Sequence, residues 1–310
     1  MLSGPAPITR SSSLNTSTVR PATRLVGFLT LSIVPLILLR TPLVELVNLS
    51  LHDDRYSHIL LVPFISAFLI WLSRKRIFSE PRTGLTLGIP LVVAGIGLVS
   101  TFGWLPVSPN PDIKFSASII GAVLILTGAF VVFYGHGALF AGLFPFLFLL
   151  LMIPIPASTM DRAVVALQKG SAGISYALFK LAGVPVFRDG LRFSLPGVNI
   201  EVAEECSGIR SSLSLFVSSI LAGYVMLGSR WSRLWLTLLS IPVVIFKNAV
   251  RIVTISWLGV YVDRGFLFGN LHRYGGLPFS LLAIAILYLV LRLLQKSVVG
   301  PEGMTWGRNV

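Results

Sequence analysis

The sequence predicts an all-α polytopic membrane protein. It would have about eight transmembrane helices, with an extracytoplasmic amphipathic helix and a small β-like cap before the sixth span. Three observations carry that class. The 310 residues are 54% hydrophobic and only 12% charged, about half the charge of a soluble domain. Apolar stretches of the ~20 residues needed to cross a bilayer recur along the chain. The Lys and Arg behind the net charge of +13 lie between those stretches, where membrane topology explains them and nucleic acid does not.

Residues 1–24 are rich in Ser, Thr, Pro and Arg and read as a disordered cytoplasmic tail. The apolar run that follows lacks a small-residue cleavage site, so it reads as a retained first span. An integral membrane domain then covers 25–295, and 296–310 form a second cytoplasmic tail. Span one is 25–47, interrupted by Arg40 and carrying Glu45 near its end. Arg40 reads as a cation that snorkels to the surface. Spans two, three and four are 59–72, 83–102 and 115–133. The turn Tyr134-Gly135-His136-Gly137 leads to span five at 138–155, which Pro154-Ile155-Pro156 stops.

Residues 159–181 are too polar to span, because Asp161, Arg162, Gln168, Lys169 and Lys180 break the apolar run. Val164, Leu167, Ile174, Leu178 and Leu181 nevertheless recur at helical spacing, the pattern of an amphipathic helix on a membrane surface. Residues 184–202 alternate apolar and polar, with Asp189-Gly190 and Pro196-Gly197 at the reversals, which predicts a hairpin or three short strands. Spans six, seven and eight are 207–227, 234–260 and 274–294. The basic segments at 73–82, 228–233 and both termini alternate correctly for cytoplasmic ends. The loops at 48–57, 103–114, 157–206 and 261–273 then face outward.

With that topology three residues converge in depth: Cys206 before span six, His272 before span eight, and Arg251 in the outer half of span seven. Cys206 is the only cysteine, which excludes an internal disulfide and a cysteine-cluster metal site. A thiolate is a strong nucleophile, and a helix N-terminus lowers its pKa. Arg210, four residues on, falls on the same helix face. His272 suits general base and then general acid, and Arg251 suits an oxyanion or a substrate carboxylate. Asn248, one turn before Arg251, is placed to orient it. Glu204 and Glu205 oppose a thiolate unless they point elsewhere. The bland readings stand beside these: an inert cysteine, an interfacial histidine, and an arginine that snorkels or meets a lipid phosphate. His58 opens span two on the same outer side and reads as support rather than chemistry. Lys247 reads as a half-buried, snorkelling lysine.

Glu205-Cys206-Ser207-Gly208-Ile209-Arg210-Ser211, then Ile241-Pro242 with Asn248-Ala249-Val250-Arg251-Ile252, then His272 before a Gly-led last span, resemble the exosortase/archaeosortase family. Tyr56-Ser57-His58 and Pro154-Ile155-Pro156 look like that family too, and the resemblance covers about residues 40–295. It implies a membrane cysteine protease/transpeptidase that cleaves C-terminal tripartite sorting signals of exported proteins. Such signals join a short motif such as Pro-Glu-Pro, one apolar span and a basic tail. It implies that Cys206, Arg251 and His272 are the catalytic set, with Ser207 and Gly208 flanking the nucleophile. The implied place is the cell inner membrane, both termini cytoplasmic and the site on the extracytoplasmic side. Membrane lipid and exported proteins are the expected partners. Neither cofactor nor metal is expected, and the sequence sets no oligomeric state. The alternative is a non-enzymatic polytopic transporter or scaffold for envelope polysaccharide export. It needs polar residues lining a path through spans three to five, which contain almost none. A serine hydrolase using Ser207, Ser211 or Ser212 lacks a Gly-x-Ser-x-Gly elbow.

Overall fold

The computed structural model describes residues 21–104, 110–202, 209–268 and 276–298. Helices α1 (Pro21–Leu38) and α2 (Arg40–His52) come first, followed by α3 (Val62–Leu72), the short α4 (Arg74–Ile77) and α5 (Leu85–Val99). Helix α6 (Pro111–Ala141), the short α7 (Leu143–Phe148) and α8 (Ala157–Leu181) precede three strands, β1 (Phe187–Asp189), β2 (Arg192–Leu195) and β3 (Val198–Glu201). Helices α9 (Ile209–Met226), α10 (Arg230–Tyr261), the short α11 (Gly265–Phe268) and α12 (Gly276–Val298) complete the chain.

Among the described residues, five helices are long and apolar enough to cross a membrane, or up to seven if each bent pair counts as one span. The class is therefore a mainly helical, multi-pass membrane protein, and the departures from eight plain spans have local causes. The first expected span bends by 75° between α1 and α2, with exposed Arg40 opening the second piece rather than sitting inside a straight helix. Between the fourth and fifth, at the expected turn, Gly135 takes φ +89 and kinks the chain within α6; the fifth is bent, since the helical segment at 143–152 turns by 94° into α8. Any Cβ at Gly135 would come within 2.4 Å of the Arg82 carbonyl oxygen, so the kink needs glycine both for its backbone angle and for space. The apolar core of α9 is only Ser211–Met226.

The break before α8 is pinned by polar bonds. Asn110 caps α6 by accepting the Asp112 N–H (2.9 Å), with Pro111 in the first turn. The Asp112 carboxylate accepts the Ala157 N–H (3.0 Å), and Ser116 Oγ donates to the Pro154 carbonyl (2.7 Å). The Tyr56 hydroxyl donates to Ile155 (2.8 Å). Prolines 154 and 156 cannot continue a helix, and the carbonyls they free are taken up by α6 and by the turn before α3.

Helices α5 and α6 touch through glycines. A Cβ on Gly128 would meet the Val92 amide nitrogen at 2.8 Å and the Gly88 carbonyl at 2.9 Å; one on Gly95 would meet the Gly121 carbonyl at 2.8 Å. Close approach through small residues is how helices associate where no water drives them together.

The expected apolar face of α8 is not the packed one. Met160, Val164, Gln168, Ser171, Ala172, Ser175 and Phe179 are buried, while Leu167, Ile174 and Leu178 are only half-buried and Leu181 is exposed. Small and polar side chains let α8 lie close on α10; of the expected stripe, Leu167 packs against the core of α9, α10 and α12, and Leu181 is left on the outside. The sheet has order β1-β2-β3, antiparallel throughout, with Phe193 opposite both Arg188 and Ile200. Phe193 packs edge-on to Phe179 of α8 (5.7 Å between ring centroids), in a core shared with Ile252 of α10. Gln168 donates to the Val202 carbonyl (2.8 Å) beneath it. With 32 residues, α10 is about 48 Å long, more than the ~30 Å of a hydrocarbon core. Its stretch from Ile245 to Ala249 seats α8, and Ile252 and Val253 beyond it pack with the sheet.

Candidate active-site cavity

Helices α9, α10 and α12 line an open cavity of about 910 Å³. Its lining changes along its length. At the sheet end it is polar: Ser211 and Ser214 of α9, Lys247 and Arg251 of α10, and Gly276 and Ser280 of α12. Asp54, from the turn before α3, reaches the same end. Toward the other end the walls are Ala222, Leu236, Ala283 and Leu287, down to Leu291. From Gly276 to Leu291 the lining follows α12 for about 22 Å. Small residues on the inner faces of α9 and α12 leave this space open.

Lys247 and Arg251 stand four residues apart and line the cavity together. Lys247 does not snorkel. It is 3% exposed, and its Nζ donates to Ser211 Oγ. The reason is geometric: residues 243, 244, 247 and 248 form the packed face of α10, so the lysine stem is held among helices rather than against lipid. Arg251 is half-buried. Asn248 is fully buried on the adjacent face, and its amide donates to Ser171 Oγ of α8 (3.1 Å), so what it fixes is the seat of α8 on α10.

Cys206, Ser207, Gly208 and His272 lie outside the described residues, as do Glu204 and Glu205. Arg210 is the second residue of α9, and its side chain is also outside the described set. The helices that follow Cys206 and His272 in sequence, α9 and α12, begin at the polar end of the cavity, where Ser211 and Gly276 line it with Arg251. His58 is half-buried just before the 3-10 turn Ile59–Leu61 and does not line the cavity. Among the described residues, no group of three or more His, Cys, Asp or Glu side chains could hold a metal ion.

The turn that carries Asp54 is fixed by Arg55, which reaches Asp53 at 3.0 Å and Asp161 of α8 at 3.4 Å. Burial raises the Asp53 carboxyl, but hydrogen bonds and charge from Arg55 outweigh it and hold the pKa below its ordinary 3.8.

A family model described as transmembrane exosortase matches residues 48–289. The chain belongs to the transmembrane exosortase family. No curated protein and no solved structure matches it. The stretch shared with the exosortases starts inside α2 and ends inside α12, so it contains the whole polar end of the cavity and omits α1.

The Ser211–Lys247 contact and the cavity itself were not anticipated from sequence. Two signals pointed to them. Two cations stand at i and i+4 inside an apolar run, where like charges repel. Ser211, Ser214, Ser218 and Ala222 fall on one face of α9 at three- and four-residue spacing.

Proposed function

We propose that this exosortase-family chain is a membrane-embedded cysteine protease/transpeptidase, cleaving C-terminal tripartite sorting signals of exported proteins. The single observation behind the reading is the cavity. It gathers Arg251 with the chain ends that lead from Cys206 and His272, and it continues as an apolar trough beside α12. A polar chamber opening into an apolar trough suits a substrate with a short motif followed by a membrane helix.

In this mechanism the Cys206 thiolate attacks the scissile carbonyl carbon and forms a C–S bond. The oxyanion that develops faces the Arg251 guanidinium. The C–N bond then breaks, and His272 supplies the proton that leaves with the amine. Water or an amine next attacks the thioester carbonyl and gives its proton to His272, breaking the C–S bond and returning the thiolate. Water gives hydrolysis and an amine gives transpeptidation. The sheet end faces out of the cell and the basic ends of α9, α10 and α12 face the cytoplasm, by the distribution of Lys and Arg. The alternative of a transporter or scaffold is not favoured: α5 and α6 meet through glycines, with no polar path between them.

The test is co-expression of a tagged protein bearing a tripartite C-terminal signal with wild type, Cys206→Ala and Cys206→Ser. Processing by wild type alone is the expected result. Continued processing in both variants overturns the nucleophile.

A further inference from the structure

We propose that the outer edge of β3 is a docking strand, on which the extended peptide segment just before a substrate's membrane helix adds as a fourth, parallel strand. The inference rests on the protease reading of the neighbouring cavity and says how a chain reaches it.

The ladder fixes which backbone groups are open. Val202 donates to Leu191 (3.0 Å), so the pairs Leu191–Val202, Phe193–Ile200 and Leu195–Val198 are the hydrogen-bonded ones. Asn199 and Glu201 alternate with them, and their two N–H and two C=O groups point away from β2. Among the described residues, these groups have no backbone partner. Both residues are exposed. Val198–Glu201 has no proline, no lysine and no bulge, the devices that blunt an edge strand. Its one charge, the Glu201 carboxylate, is drawn back across the sheet to Arg192 (3.1 Å). The other edge is guarded by a charged side chain: Arg188 of β1 donates to the Gly190 carbonyl (2.9 Å), and its guanidinium lies beside Gly173 of α8.

The course of β3 selects the occupant. From β2 to β3 the sheet crosses from α8 towards α12. Phe193 packs on Phe179 of α8, whereas Val198 and Ile200 pack with Ile255 of α10 and Phe279 of α12. The open edge therefore lies on the side of α12, whose Gly276 and Ser280 line the cavity. Along its length β3 descends beside α10. At its outer end the Gly197 carbonyl accepts from Arg264, beyond the end of α10 (3.3 Å). At its inner end the Val202 carbonyl accepts from Gln168, and Ser171 in the next turn of α8 is bonded to Asn248. Lys247 and Arg251, on either side of Asn248, line the polar end of the cavity. A strand added here runs from the outer surface to the mouth of the cavity and hands over to the apolar trough. A substrate whose exported domain precedes its apolar segment runs in the same sense as β3, so the pairing is parallel. Its side chains then alternate between the packed face of Val198 and Ile200 and the exposed face of Asn199 and Glu201. An extended peptide matches such a row of donors and acceptors, and a lipid does not.

The test uses full-length Cys206→Ala protein in nanodiscs and synthetic peptides, each with a fluorophore, a short extended segment, an apolar span and a basic tail. One amide of the extended segment at a time is N-methylated, which removes its donor. An added strand uses the N–H of every second residue. Methylation at alternate positions should therefore weaken binding about threefold or more, the effect of one backbone hydrogen bond, and at the intervening positions should leave it within about twofold. Asn199→Pro deletes an outward N–H that the β2–β3 ladder does not use, and should weaken the parent peptide to the same degree. Asn199→Ala keeps that N–H and should not. If Asn199→Pro fails to accumulate, the methyl scan on the Cys206→Ala chain alone decides. Losses without alternation, equal binding by every methylated peptide, or no binding of the parent peptide overturn the proposal. A dimer that Asn199→Pro converts to monomer, with peptide binding unchanged, assigns the edge to a second copy of the chain and also overturns it. Cleavage of the parent peptide by wild type is scored separately. Alternating binding without cleavage removes the protease reading and keeps the docking strand, whereas cleavage without alternation does the reverse.

Discussion

Asn248 of α10 and Ser171 of α8 are joined by a buried hydrogen bond of 3.1 Å, with 0% and 1% of each residue exposed. Asn248 Oδ1 has no hydrogen-bond partner among the described residues, so the amide nitrogen carries the link. A double-mutant cycle with Asn248→Ala and Ser171→Ala should give a coupling of about 0.5–1.5 kcal/mol, the range for hydrogen bonds between membrane helices. Thermal unfolding in detergent measures it. A coupling of zero would mean that the contact contributes only packing.

The α5–α6 seam supplies a sharper contrast. Alanine at Gly128 would press on the backbone of Val92 and Gly88, atoms that cannot swing aside. Gly128→Ala should destabilise by about 1–3 kcal/mol, as overpacked interiors do. Gly97 lies on the partner helix α5 with nothing within 4 Å of a new Cβ, so Gly97→Ala should be neutral or stabilise by up to about 1 kcal/mol through helix propensity. Equal behaviour of the two substitutions in a melting experiment would refute the close-approach account.

These two seams show which parts of the fold the sequence reveals. Apolar length is legible, because a bilayer demands it; the stretches around α3, α5, α6, α10 and α12 can be read directly. The sign of a helix face is not. In water the apolar stripe of α8 would have to face the protein, and Leu167, Ile174, Leu178 and Leu181 would mark the core. Beside lipid that demand lapses: Ile174 and Leu178 are only half-buried and Leu181 is exposed, while Ser171 and Ser175 make the contact with α10. Lys247 was misread for a related reason. A lysine stem can reach an interface from either side of a helix, and only the packing of Val243, Val244 and Asn248 shows which side is closed. Arg251 was legible as a cation in an apolar run, and its place in a cavity with the starts of α9 and α12 follows from tertiary packing alone.

Acid should loosen the turn before α3. The Asp53 carboxyl titrates at 3.8 when unfolded and lower when folded, because the Arg55 hydrogen bonds and charge outweigh burial. A depressed folded pKa means that its contribution is complete above pH 3.8 and is lost as pH falls through the lower folded value. Stability measured by melting should therefore be flat on this account from neutral pH down to about 4, then decline as pH falls further. Asp53→Asn should remove that part of the decline. An identical acid limb in the variant would place the titration elsewhere.

The role of Arg251 is testable by keeping its charge and changing its shape. A guanidinium offers a planar fork of donors that fits an oxyanion or a carboxylate, whereas an ammonium is a point charge on a flexible stem. If Arg251 stabilises the developing oxyanion, Arg251→Lys should lose nearly as much processing of a tripartite-signal reporter as Arg251→Ala, about 100-fold or more in each. Lys247, one turn away, already places an ammonium in the same cavity, so a second one at position 251 adds positive charge without adding the fork. Arg264 gives the control. Its guanidinium donates to the Gly197 carbonyl (3.3 Å) on the exposed side of the sheet, away from the cavity, and Arg264→Lys should leave processing within about twofold. Full activity in Arg251→Lys would reduce the residue to simple electrostatics, and the fork geometry would then have no part in the chemistry.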